Sequence, residues 1–155
     1  MTLKNKIFAV IRILLGCLFI TSGFEKLSSS YQNFLYVVQN YDFLPATLAS
    51  LAAHTMPWVE FLVGVFMVTG LWTKQALVAA CLLFLSFMGV VGQALVRGLE
   101  ISECGCFGGL ISFPLTAVFI LDSIGLLVTI VLISQIASTQ TLSADRLLDK
   151  SQVAS

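Results

Sequence analysis

Charge is scarce in this sequence. Eight basic and eight acidic residues among 155 cancel to a net charge of zero, and charged residues make up only 10% of the chain. Such a balance points to no acidic partner, and no nucleic-acid partner is expected. Histidine is scarcer still, with His54 alone. Two thiolates with Glu103 or His54 could begin a zinc site, but no second Cys/His pair completes four ligands, so no metal is expected. The chain lacks a phosphate loop, a Rossmann fingerprint, haem or iron–sulfur cysteine spacing and a Ser/His/Asp constellation. It shows no internal repeat and no low-complexity tract. A separate soluble domain is also missing, because the longest gap between apolar runs, 28–54, has fewer than thirty residues.

What the chain has is apolar length. Hydrophobic residues make up 58% of it, and mean hydropathy is +0.99. A soluble domain of this size needs more polar surface. Four runs can each cross about 30 Å of hydrocarbon at about 20 residues apiece. They lie at about 6–27, 55–73, 75–97 and 110–135. Backbone in lipid must satisfy its own hydrogen bonds, so the runs are expected to be helices. The fold class is therefore an all-α integral membrane protein with a four-helix bundle over 1–135 and a tail over 136–155. The first run is longer than the apolar stretch of a cleavable signal peptide, and no clear small-x-small site follows it. It is expected to stay as a spanning helix. Pro57 is expected to kink or start the second helix. Ser112 and Pro114 suit an N-cap and a first-turn proline for the fourth.

The few charges are unevenly spread. Lys4, Lys6, Arg12, Lys74, Arg146 and Lys150, six of the eight basic residues, fall on one side if the helices alternate; Lys26 and Arg97 fall on the other. The positive-inside rule makes the first side cytoplasmic, with both termini there. The 28–54 and 98–109 loops then face an oxidising compartment.

The 98–109 loop carries Glu103-Cys104-Gly105-Cys106-Phe107-Gly108-Gly109. Thiols at i and i+2 can come within the roughly 4.4–6.8 Å Cα separation of a disulfide if the backbone bends, and Gly105 permits the bend. A ring this tight is strained and prone to exchange. The plain alternative is a static staple or two idle thiols, although a loop of one residue constrains little chain entropy. Cys17 and Cys81 fall within helices and read as small packing residues.

Lys26, Glu60, Arg97 and Asp122 all lie in the outer half of the bundle, near this loop. Charges in lipid default to pairing or to function. Glu60 with Lys26, and Asp122 with Arg97, are the expected pairs. They could clamp helix packing, or tune a thiolate or relay a proton. Arg12 is expected to snorkel to the headgroups. His54 reads as a polar boundary residue, with proton transfer as the sharper alternative. Gly16, Gly23, Gly64, Gly70, Gly89 and Gly92 suit close helix approach. Tyr31, Tyr36, Tyr41, Trp58 and Trp72 suit interface anchors, and Tyr31–Gln39 suits a short surface helix.

These elements carry a family resemblance. Arg12-Ile13-Leu14-Leu15-Gly16, Ser22-Gly23-Phe24-Glu25-Lys26-Leu27, Tyr41 with Leu44-Pro45, and Pro57-Trp58-Val59-Glu60 lead to Arg97-Gly98-Leu99-Glu100 and Cys104-Gly105-Cys106-Phe107-Gly108. The chain resembles the MauE branch of the DoxX-like membrane proteins over roughly 7–135. The resemblance implies a multi-pass protein of the bacterial inner membrane, associated with methylamine utilisation. It implies help with disulfide formation beside a periplasmic thioredoxin-like partner, MauD-like. The wider group keeps quinone in view as a cofactor. Cys104 and Cys106 would be the reactive pair, with Gly105, Phe107, Gly108, Lys26, Glu60, Arg97 and Asp122 in support. A second cysteine pair to receive substrate electrons is not seen, so a partner would supply it or quinone would react with the one pair. A non-enzymatic membrane scaffold or assembly factor is the rival reading.

Overall fold

The structure, a computed structural model, describes residues 3–40, 45–98, 114–139 and 143. Six helices carry the described residues: α1 (Leu3–Ser28), α2 (Tyr31–Asn40), α3 (Ala46–Thr69), α4 (Thr73–Val96), α5 (Leu115–Ser134) and α6 (Ile136–Thr139). Four of them, α1, α3, α4 and α5, are long and apolar enough to cross a membrane. At 1.5 Å per residue, the shortest of these, α5, is about 30 Å long, the thickness of the hydrocarbon layer. Leu14, Leu62, Leu82 and Leu127 stand exposed on all four. Water would not tolerate such faces, and lipid does. The chain is an all-α, multi-pass membrane protein.

The helices pack in chain order. α1 lies along α3, α3 meets α4, and α4 lies along α5, whereas α5 touches α1 only slightly. The closest approach is between α1 and α3. A Cβ on Gly64 would sit 2.7 Å from the Gly16 carbonyl oxygen, and one on Gly16 would sit 2.9 Å from the Gly64 carbonyl oxygen. Only the absence of side chains lets these backbones meet, as small residues do between membrane helices. Leu15, Phe19, Val63, Met67, Leu77 and Leu83 fill the middle of the bundle. Val91, Ala94, Leu115 and Val118 form a second cluster, against which Val37 of α2 packs.

Helix ends depart from the sequence expectation in instructive ways. α3 begins at Ala46, after Pro45, well before the expected 55. Pro57 sits inside the helix rather than at its start. The early turns hold α2, with the Tyr31 hydroxyl 2.8 Å from Ser50 Oγ and the Tyr31 ring edge-on to His54. Helical backbone continues past the lipid boundary because it has this partner to pack on. The surface helix expected over 31–39 is present as α2 and buries no residue fully.

α3 ends at Gly70, whose φ of 68° lies in the left-handed region that glycine tolerates. Its N–H donates to the Phe66 carbonyl at 2.9 Å. Trp72 adopts φ 49°, and α4 starts at once, so Lys74 lies in the first turn of α4 rather than in the connection. Pro114 occupies the N-cap of α5, one place earlier than a first-turn proline, and Ser112 lies outside the described residues.

Arg12 is a correction. It does not snorkel: it is 0% exposed, and its Nη1 donates to the Thr139 carbonyl oxygen at 3.1 Å. The chain after α5 turns back over this end of the bundle through α6, and Thr139 and Ser143 are buried there. Carbonyls at a helix C-terminus form the negative end of the helix dipole, and they solvate the guanidinium in place of headgroups. Residues 136–139 and 143 thus pack on the bundle instead of trailing from it. Cys17 is a second correction, since it is exposed on α1 rather than packed inside; Cys81 is half-buried.

Candidate functional site

α1 and α3 run antiparallel, and their contact brings Lys26 against Glu60. Lys26 Nζ lies 2.6 Å from Glu60 Oε2 and 2.8 Å from Oε1. Ser22, one turn before Lys26 on the same face of α1, joins the pair. It accepts from Lys26 Nζ at 2.9 Å and donates to Glu60 Oε2 at 2.9 Å. Each of the three ammonium protons therefore has an acceptor. Lys26 is 6% exposed and Glu60 0%, so the pair is out of reach of solvent and lipid.

Aromatic rings close the ammonium in from two further sides. Phe34 of α2 and Phe87 of α4 place their ring centroids 5.6 and 5.5 Å from Lys26 Nζ. Cation–π attraction of this kind contributes about 0.5–2 kcal/mol per ring, the larger values where water is excluded. Four elements, α1, α2, α3 and α4, thus converge on one ammonium group.

Beside the pair lies a cavity of about 450 Å³ between α1, α4 and α5. It forms because α5 leans on α4 and leaves α1. Its walls are apolar except at one end, where Ser22, Lys26 and Asp122 stand. Leu18, Leu121 and Ile124 line it and are also exposed on the outside of the bundle, so it opens sideways toward lipid. Gly125 leaves room for the Phe84 ring at its wall, which a Cβ there would meet at 2.5 Å.

The sequence-selected residues are distributed as follows. Lys26 and Glu60 are in contact, and Lys26 and Asp122 share the cavity wall. Arg97 stands exposed as the C-cap of α4, outside that wall. Cys104, Gly105, Cys106, Phe107 and Gly108 lie outside the described residues. Among the described residues no group of three or more His, Cys, Asp or Glu side chains could hold a metal. Sequence reasoning did not single out Ser22, Phe34 or Phe87 as part of this site. Ser22 was detectable from its i, i+4 spacing to Lys26. The phenylalanines carried no signal, because chain contacts alone select them from twelve.

Fold and site define a four-span membrane protein with a buried ion pair beside a lipid-facing cavity. The chain belongs to the MauE family: the family model described as "Methylamine utilisation protein MauE" matches residues 4–135. The "Methylamine utilization protein MauE" of Paracoccus denitrificans is 31% identical over 114 residues, which cover 74% of this chain. The match spans 61% of that relative's length. No solved structure matches.

Proposed function

We propose that this chain is a thiol–disulfide exchange component of the bacterial inner membrane that works with a periplasmic thioredoxin-like protein. Methylamine utilisation, the process for which its family is described, is the proposed context. The observation that carries the reading is the place of the Cys104-Gly105-Cys106 sequence. It falls between Gly98, where α4 has ended, and Pro114, where α5 begins. Those ends lie at the end of the bundle where α1 finishes with Lys26. The basic asymmetry of the sequence places this end outside the cytoplasm.

The exchange is balanced without an outside oxidant. A thiolate of the pair attacks a sulfur of the partner's disulfide, forming a mixed disulfide and releasing one partner thiolate. The second thiol of the pair, deprotonated, attacks the mixed disulfide and releases the other partner thiolate. The pair ends as a disulfide and the partner as a dithiol, with two electrons and two protons transferred; the reverse direction uses the same steps. Gly105 lets the pair close, Phe107 shields it, and Gly108 admits a partner backbone. Arg97 favours a thiolate by its charge. Lys26, Glu60 and Asp122 hold the helix ends that present the loop.

The test is capture. Cys104→Ser and Cys106→Ser, each alone, should trap a mixed disulfide on the surviving thiol, because resolution needs the second one. Each should also abolish complementation of a deletion strain, whereas Cys17→Ala and Cys81→Ala should not. Full activity in the Cys104→Ser, Cys106→Ser double variant would sink the relay and leave a scaffold.

A further inference from the structure

The lateral cavity has an unequal supply of hydrogen-bonding groups. All three Lys26 ammonium protons go to Glu60 Oε1, Glu60 Oε2 and Ser22 Oγ, and the Ser22 proton goes to Glu60 Oε2. The donors at the polar end are therefore committed. Acceptors remain, because a carboxyl group offers several lone pairs and Asp122 brings one to the cavity wall. Charge is also committed, since Glu60 already balances Lys26 at 2.6 Å. An anionic head would meet two carboxylates with no free cation between them, in a medium that screens little.

The rest of the cavity suits a tail. It follows α1 from Lys26 to Leu15, about 16 Å along the helix axis at 1.5 Å per residue. Its volume, about 450 Å³, falls within the usual range for small-molecule sites. It opens between α1 and α5, at Leu18 and Leu121, onto lipid rather than water.

We infer that this cavity binds a neutral amphiphile from the bilayer whose head donates a hydroxyl hydrogen bond to Asp122 and whose tail lies along α1. Two sources share that chemistry: acylglycerols, and ring diols such as reduced isoprenoid quinones. The site is independent of the cysteine pair, so failure of the relay leaves it standing.

Three probes with one tail test it: monoolein, methyl oleate and oleate. Binding is read by native mass spectrometry of the full chain released from nanodiscs. Monoolein should bind about tenfold or more tighter than methyl oleate, which lacks the hydroxyl, the ratio expected for one hydrogen bond to a charged group. It should exceed oleate, the anion, by a similar factor. Asp122→Leu should bring monoolein and methyl oleate to equal affinity. Leu121→Trp, at the exposed rim, should weaken both without entering the core. Decylubiquinol competing with monoolein supports the site and assigns it to ring diols; failure to compete supports the site and assigns it to acylglycerols. Equal binding of monoolein and methyl oleate to the unaltered chain overturns the inference. Unchanged monoolein binding in Leu121→Trp does the same, and needs no change at Asp122.

Discussion

Lys26 Nζ and Glu60 Oε2 stand 2.6 Å apart across the α1–α3 contact, with both side chains almost wholly buried. Their helices meet so closely because glycines line the same seam: Gly23 beside the Pro57 turn, and Gly16 against Gly64. A Cβ on Gly23 would sit 2.7 Å from the Phe61 backbone nitrogen. The ion pair and the glycine seam are thus one feature. The small residues set the helix separation, and that separation sets the reach of lysine to glutamate.

The pair should be costly to break and cheap to remove whole. Lys26→Met leaves a buried carboxylate, and Glu60→Gln leaves a buried ammonium. Each should destabilise the bundle by about 3–5 kcal/mol. The double variant Lys26→Met, Glu60→Met should recover most of that loss. A double-mutant cycle on thermal unfolding in detergent measures it. Additive losses would show that the two charges are not coupled.

Gly64→Val should separate α1 from α3. The added Cβ meets the Gly16 carbonyl oxygen and the Ile20 nitrogen, each at 2.7 Å, and backbone cannot step aside as a flexible side chain can. Overpacking of this kind costs about 1–3 kcal/mol. Gly89→Ala, where no atom lies within 4 Å of the added Cβ, should be near neutral and serves as the control. The melting temperatures of the two variants decide the matter.

Arg12→Met should release the segment after α5. It removes the bond to the Thr139 carbonyl, about 1.5–3 kcal/mol for a charged donor. Amide exchange at 136–139 should accelerate while exchange in the middle of α4 stays slow. Uniform acceleration would mean that Arg12 supports the whole bundle rather than this return.

Orientation is open to chemical labelling. With the basic majority inside, a membrane-impermeant maleimide should label reduced Cys104 or Cys106 in intact spheroplasts. A Cys17→Ala, Cys81→Ala background isolates that signal. Protection until the membrane is permeabilised would reverse the assigned sides.

Composition and run length by themselves determined that this chain spans a membrane with four helices, because hydrocarbon admits only backbone that bonds to itself. They also marked Lys26, Glu60 and Asp122 as charges needing an account, since apolar surroundings make any charge conspicuous. Tertiary structure decided what the charges meet. Glu60 could reach Lys26 only because the glycine seam draws α1 onto α3, and Arg12 found a carbonyl only because the chain turns back at α6. Phe34 and Phe87 were indistinguishable in sequence from the other phenylalanines until α2 and α4 laid them over Lys26. The cavity beside Asp122 was illegible for a similar reason. It is a gap between helices far apart in the chain, set by how α5 leans on α4, and helix periodicity carries no record of which neighbour a helix leans toward.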